Sequence, residues 1–133
     1  MFFPWVGMFE QIRLADTFVY YDDVQFSKGS FTNRVQIKTE FGSKWLTVPL
    51  KSSMKGKAIH EVEINPQKKW KNLHLKFLQQ TYRNTPYLTD MLQLVETVYS
   101  KDCLTIGELA MHSMNVTCEY FGLEQKTKIY QSS

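Results

Sequence analysis

The spacing of hydrophobic positions changes several times along the chain, and each change marks a predicted element. Trp5, Phe9 and Ile12 stand four and three apart, which predicts a short helix over Trp5–Leu14 that Asp16 stops. Thr17-Phe18-Val19-Tyr20-Tyr21 is a near-continuous β-branched and aromatic run, the composition of a strand buried on both faces, as in a parallel sheet. Asp22 and Asp23 end that strand, and the polar stretch Val24–Thr32 reads as a loop where ligand contacts are expected. Val35-Gln36-Ile37-Lys38 alternates, Glu40–Ser43 turns and Trp45–Pro49 resumes, which predicts an antiparallel hairpin. Lys51–Lys57 reads as a basic solvated loop, and alternation over Ile59–Ile64 predicts another strand.

From Asn65 the period becomes helical. Asn65-Pro66 can cap a first helix whose apolar face is Trp70, Leu73, Phe77 and Leu78, and Thr85-Pro86 repeats the arrangement before a second face of Leu88, Met91, Leu92, Val95, Val98 and Tyr99. Thr105-Ile106-Gly107-Glu108 fits a capping box for a third helix, with Ile106, Leu109, Ala110, Met114, Thr117 and Phe121 inward and a stop at Gly122-Leu123. Thr127–Tyr130 reads as a final strand. No internal repeat or Pro/Gly/Ser linker divides the 133 residues, which are expected to form one α/β domain.

Composition narrows the class. At 43% hydrophobic and 22% charged, with six Gly and four Pro, the chain is neither disordered nor low-complexity. Sixteen basic against thirteen acidic residues leave +3, too small an excess to require a polyanion, so no nucleic acid is expected as partner. Cys103 and Cys118 lack metal-ligand spacing and read as reduced thiols. The apolar start has no basic residues before it and no cleavage site behind it, and no window reaches the length that spans a bilayer. The expected location is therefore the cytoplasm.

The densest polar cluster is Asp22-Asp23-x-Gln25-x-x-Lys28 followed by Asn33-Arg34. Carboxylates at the carboxyl end of a buried strand lie where α/β sheets place ligands, and Asp22 with Asp23 could hold Mg²⁺ beside a phosphate. From two adjacent Asp alone the commoner arrangement is that one caps a turn and the other pairs with Arg34 or Lys28. Arg34 offers planar recognition of phosphate or carboxylate, Asn33 an amide contact and Lys28 a point charge, although each is also an ordinary surface residue. His74 lies on the Trp70–Leu73–Phe77 face, where a hydrogen-bonded core histidine is the usual occupant, while His60 and His112 have no spaced partners. The hydrolase, zincin and dinucleotide fingerprints are absent.

Phe3-Pro4-Trp5-Val6-Gly7-x-Phe9, Ala15-Asp16-x-Phe18-Val19, Asp22-Asp23-Val24-Gln25-Phe26, Asn33-Arg34-x-x-Ile37-Lys38-Thr39, Trp45-Leu46-Thr47-Val48-Pro49, Trp70-x-x-x-His74, Tyr82 and Thr85-Pro86-Tyr87 together resemble the WbqC-like proteins. The resemblance covers nearly the whole chain. It implies a bacterial protein of O-antigen or other surface-polysaccharide synthesis with a Rossmann-like strand-helix-strand start, to which the residue patterns above add a hairpin insertion and a C-terminal three-helix segment. Relatives carry a strand and a Gln-Pro pair before the Phe-Pro-Trp segment and continue beyond Ser133, so this chain reads as shortened at both ends. Without that first strand, Phe18–Tyr21 would lose a neighbour. Gly29 stands where relatives often have arginine, which would weaken phosphate binding in that loop.

Two readings follow. In the first the chain is a transferase on an activated sugar or sugar nucleotide, with Asp22, Asp23 and His74 catalytic and Gln25, Lys28, Asn33, Arg34, Lys38 and Trp45 binding substrate. In the second it is a non-catalytic module whose Phe2, Phe3, Trp5, Phe26 and Phe31 face a partner or a sugar ring, or an inactive shortened relative. Burial of residues 1–9 separates them, since a packed segment favours the enzyme and an exposed aromatic patch the partner surface.

Overall fold

The computed structural model describes residues 2–3, 14, 17–20, 22–23, 25–26, 32–51, 56–66, 69–122 and 128–131. The expected helix over 5–14 (except the exposed Leu14), most of the Val24–Thr32 loop including Lys28, Gly29 and Phe31, residues 52–55, and the stop contact of Leu123 lie outside them.

Strand β1 (Thr17–Tyr20) pairs in parallel with β4 (Lys128–Gln131), in a register that sets Tyr20 against Gln131. Among the described residues these two strands form one sheet, and β2 (Arg34–Thr39) and β3 (Gly42–Thr47) form a separate antiparallel one. The arrangement is mixed α/β. Val19 is 48% exposed, so β1 is not buried on both faces as its composition predicts.

The hairpin forms as predicted, with its turn at Glu40 and Phe41. Gly42 closes it at φ +103°, a conformation that glycine adopts without a Cβ penalty. Thr39 fixes the turn, because its hydroxyl accepts from the Phe41 N–H at 3.2 Å and donates to the Gly42 carbonyl at 2.7 Å. Val35, Ile37 and Leu46 face the core, and the alternate positions face outward.

The strand expected over Ile59–Ile64 is instead a 3₁₀ turn at Ile59–Glu61 followed by an extended strip. In the strip the Lys51 N–H donates to Glu63, the Ile64 N–H to Leu104 and the Ile106 N–H to Val62, so neighbours on both sides satisfy its backbone. Val62 is completely buried and Ile64 nearly so.

Three helices follow: α1 (Trp70–Thr81), α2 (Leu88–Tyr99) and α3 (Ile106–Tyr120). Two begin later than their cap signals predict. Lys69 and Tyr87 stand at their N-cap positions without a side-chain cap bond, while the Asn65 N–H donates to the Pro49 carbonyl and the Thr85 hydroxyl donates back to the Tyr82 carbonyl. In α1 the buried face is Trp70, His74 and Leu78, four apart, and Leu73 is 66% exposed at its edge. Helix α3 takes its predicted cap: Thr105 accepts from the Glu108 N–H at 3.2 Å, while the Glu108 carboxylate reaches the Leu104 N–H at 3.3 Å. At Gly107 this helix meets the 3₁₀ turn, where a Cβ would stand 3.4 Å from the His60 Cα and the Ile59 carbonyl oxygen, at the tight edge of ordinary contact. Phe121, expected inward, is half exposed beyond the last turn of α3, and Cys118 takes a buried place instead. Both cysteines are free thiols, Cys103 half-buried and Cys118 buried.

Phe2 is 1% exposed and Phe3 packs against the same core, both beside Tyr99, with ring centroids 6.4 and 6.5 Å from it. Phe26 is also packed against the core. These three rings belong to the interior, which removes them from the expected partner surface. Among the described residues no helix is long and apolar enough to cross a membrane.

Candidate functional site

Parallel pairing of β1 with β4 brings the carboxyl ends of two strands together, and ligands in α/β proteins bind beyond such ends. A cleft of about 380 Å³ opens there, lined by Tyr20 and Gln131 from the strand ends, Lys101 from the α2–α3 connection, and Glu108, Met111, His112 and Asn115 from α3. Those α3 residues stand at intervals of three, one and three, one stripe of the helix opposite its buried Leu109–Ser113 face.

The walls of the cleft are tied together by side chains. The Tyr20 hydroxyl donates to Asn115 Oδ1 at 2.7 Å, linking β1 to α3, and burial pushes its pKa well above the ordinary phenol value. Gln131 Nε2 donates to Asp22 Oδ2 at 2.6 Å. The Asp22 carbonyl accepts from both the His60 backbone N–H (2.9 Å) and the His60 ring Nδ1–H (2.8 Å), so the chain just after β1 is anchored to the 3₁₀ turn. His112 has its pKa lowered, first by burial and then by the Lys101 charge, with a hydrogen bond to the Thr97 backbone acting the other way. Its imidazole is therefore neutral at pH 7, able to take a proton from a hydroxyl, with an ammonium beside it that suits a phosphate.

The residues singled out in the sequence separate into three places. Asp22 is buried beside the cleft, and Asp23 next to it is exposed. Among the described residues no three of His, Cys, Asp and Glu gather as a metal-holding group, so the two adjacent carboxylates would need water and ligand oxygens to complete a Mg²⁺ shell. Arg34, Lys38 and Trp45 share the outward face of the hairpin, where the Arg34 guanidinium lies 4.0 Å from the centre of the Trp45 ring. Asn33 is buried and bonds structurally: its backbone carbonyl accepts from the Val48 N–H at 2.8 Å and its Nδ2 donates to the Val48 carbonyl at 3.2 Å. Gln25 is exposed and bridges Ala58, the residue before the 3₁₀ turn that also holds the Asp22 carbonyl through His60. Lys28 lies outside the described residues.

His74 is enclosed. Its Nε2–H donates to the Thr47 carbonyl at 3.0 Å, which leaves Nδ1 to accept from the Tyr99 hydroxyl at 2.7 Å, and Trp70 packs edge-on against the ring. Burial lowers its pKa, and the bond to Thr47 only partly offsets that. Both ring nitrogens are committed, so in this arrangement His74 ties α1 and α2 to β3 and offers no nitrogen to a substrate. The ready imidazole is that of His112.

Lys101, Glu108, His112 and Asn115 were not singled out together by the sequence reading. The signal was the polar stripe on α3, which acquires its meaning once β4 is set beside β1.

The WbqC-like protein family matches residues 1–133. The chain belongs to that family. A curated relative of this WbqC-like chain, the uncharacterized protein Rv1507c of Mycobacterium tuberculosis, is 30% identical over 129 residues. The match covers 94% of the WbqC-like chain and 54% of the relative, so the chain spans about half the relative's length. No solved structure matches it.

Proposed function

We propose that this WbqC-like chain works as one cytoplasmic domain in bacterial O-antigen or other surface-polysaccharide synthesis, as a transferase on an activated sugar or sugar nucleotide. The observation that carries the reading is the strand-end cleft, where a neutral His112 stands beside Lys101, with Glu108, Asn115 and Gln131 around them. In this reading His112 takes the proton of an acceptor hydroxyl, Lys101 balances phosphate charge, and Glu108 and the amides orient the sugar. Asp22 positions Gln131, and Mg²⁺ at Asp22 and Asp23 would add charge for the phosphate. Phe18–Tyr20 would then belong to a Rossmann-like start. The buried Phe2 and the packed Phe3 favour the enzyme over a module that presents its first residues to a partner. The Arg34–Trp45 stack favours a second reading, a binding module that holds a sugar ring on the hairpin face.

The test is a thermal-shift and calorimetric screen against nucleotide sugars and free nucleotides, with and without Mg²⁺, since a ligand that binds only the folded chain raises Tm. A shift lost in His112→Ala supports the cleft. A shift lost in Trp45→Ala but kept in His112→Ala moves the site to the hairpin. Absence of any shift overturns the transferase reading.

A further inference from the structure

A second groove, of about 410 Å³, runs between the hairpin turn and the end of α1, and no residue of the strand-end cleft lines it. Its size is that of a small-molecule site. We infer that it is a saccharide-binding subsite, for which Phe41 is the stacking platform and Glu40, Lys44, Gln80, Arg83 and Asn84 supply hydrogen bonds to hydroxyls.

Phe41 is 89% exposed at the tip of a turn whose backbone Thr39 fixes, so its ring is presented to solvent from a pinned base. An aromatic face carries negative charge density that attracts the polarised C–H groups of a sugar ring. Lys44 is a polar residue on the face of the hairpin that Val35, Ile37 and Leu46 turn to the core, directly opposite Ile37. Neither it nor Arg83 makes an ion pair among the described residues.

Charge decides the ligand class. Lys44 and Arg83 contribute two positive charges and Glu40 one negative, while the carboxyl end of α1, which closes the groove at Gln80 and Thr81, adds about half a negative charge. The sum leaves little attraction for a phosphate. A polyol hydroxyl both donates and accepts, and this lining offers an acceptor in Glu40, donors in Lys44 and Arg83, and both in the two amides. The ligand class rests on the sugar-directed reading above; the location does not.

The probe is a set of neutral trisaccharides (maltotriose, chitotriose, mannotriose) in saturation-transfer NMR with the full chain. Transfer to ring C–H protons from at least one is expected, with Phe41→Ala weakening its binding about tenfold and His112→Ala leaving it unchanged. Because the Phe41 side chain is almost wholly exposed, the fold survives that substitution. No transfer from any trisaccharide, transfer unaffected by Phe41→Ala, or displacement by an equal concentration of inorganic phosphate overturns the assignment. A nucleotide-sugar melting shift without trisaccharide transfer sinks this subsite alone, and the reverse pattern sinks only the strand-end cleft.

Discussion

His74 connects three parts of the structure through two ring nitrogens, and its protonation is opposed by that arrangement. A histidine whose pKa is lower folded than unfolded binds a proton more readily in the unfolded chain, so its contribution to stability is complete above about pH 6.5 and is lost as pH falls through the folded value. His112 is shifted in the same direction and adds to the slope. Urea melts from pH 8 to pH 5 should therefore show stability level at the alkaline end and declining below about 6.5; a flat profile would contradict the buried neutral ring. In the same series Tyr99→Phe removes the donor to Nδ1 and should cost about 1–2 kcal/mol at pH 8, because the buried nitrogen loses its partner.

The helices and the hairpin were legible in the sequence to the extent that periodicity decides them. Gln36 and Lys38 alternate against Val35 and Ile37, and Val95, Val98 and Tyr99 follow the helical period, so those elements stand where the pattern puts them. Ile59–Ile64 misled because alternation over six residues is satisfied equally by a tight turn followed by an extended strip. Asn65 and Thr85 misled because the chain holds each in local structure before the helix begins, Asn65 beside Pro49 and Thr85 in a turn with Tyr82. What the pattern could not show is where α3 lies, with Gly107 brought against the 3₁₀ turn. Gly107→Ala should change stability by less than about 1 kcal/mol, since the gain in helix propensity offsets a contact at the tight limit. Gly107→Val should cost about 2 kcal/mol or more, read from chemical denaturation, and an unperturbed Val variant would show that the turn can yield.

The candidate site was half legible for a topological reason. Asp22 announces itself because it follows a strand-like run, but Lys101, Glu108, His112 and Asn115 join it only when β4, more than 100 residues later in the chain, lies parallel to β1. Composition and local spacing carry no information about that pairing. The two free thiols are placed to report how the region around α3 opens. Cys103, half-buried in the α2–α3 connection and held toward its protonated form mainly by desolvation, should react slowly but directly with a thiol reagent; Cys118, buried on α3, should wait for that helix to lift. Labelling followed by mass spectrometry should therefore resolve two phases, with only the slower one accelerated by low urea, and a single common phase would mean that both thiols share one opening. Without any added dye or mutation, the chain carries a clock for the order in which its parts come loose, and a ligand in the strand-end cleft should slow the Cys118 hand alone.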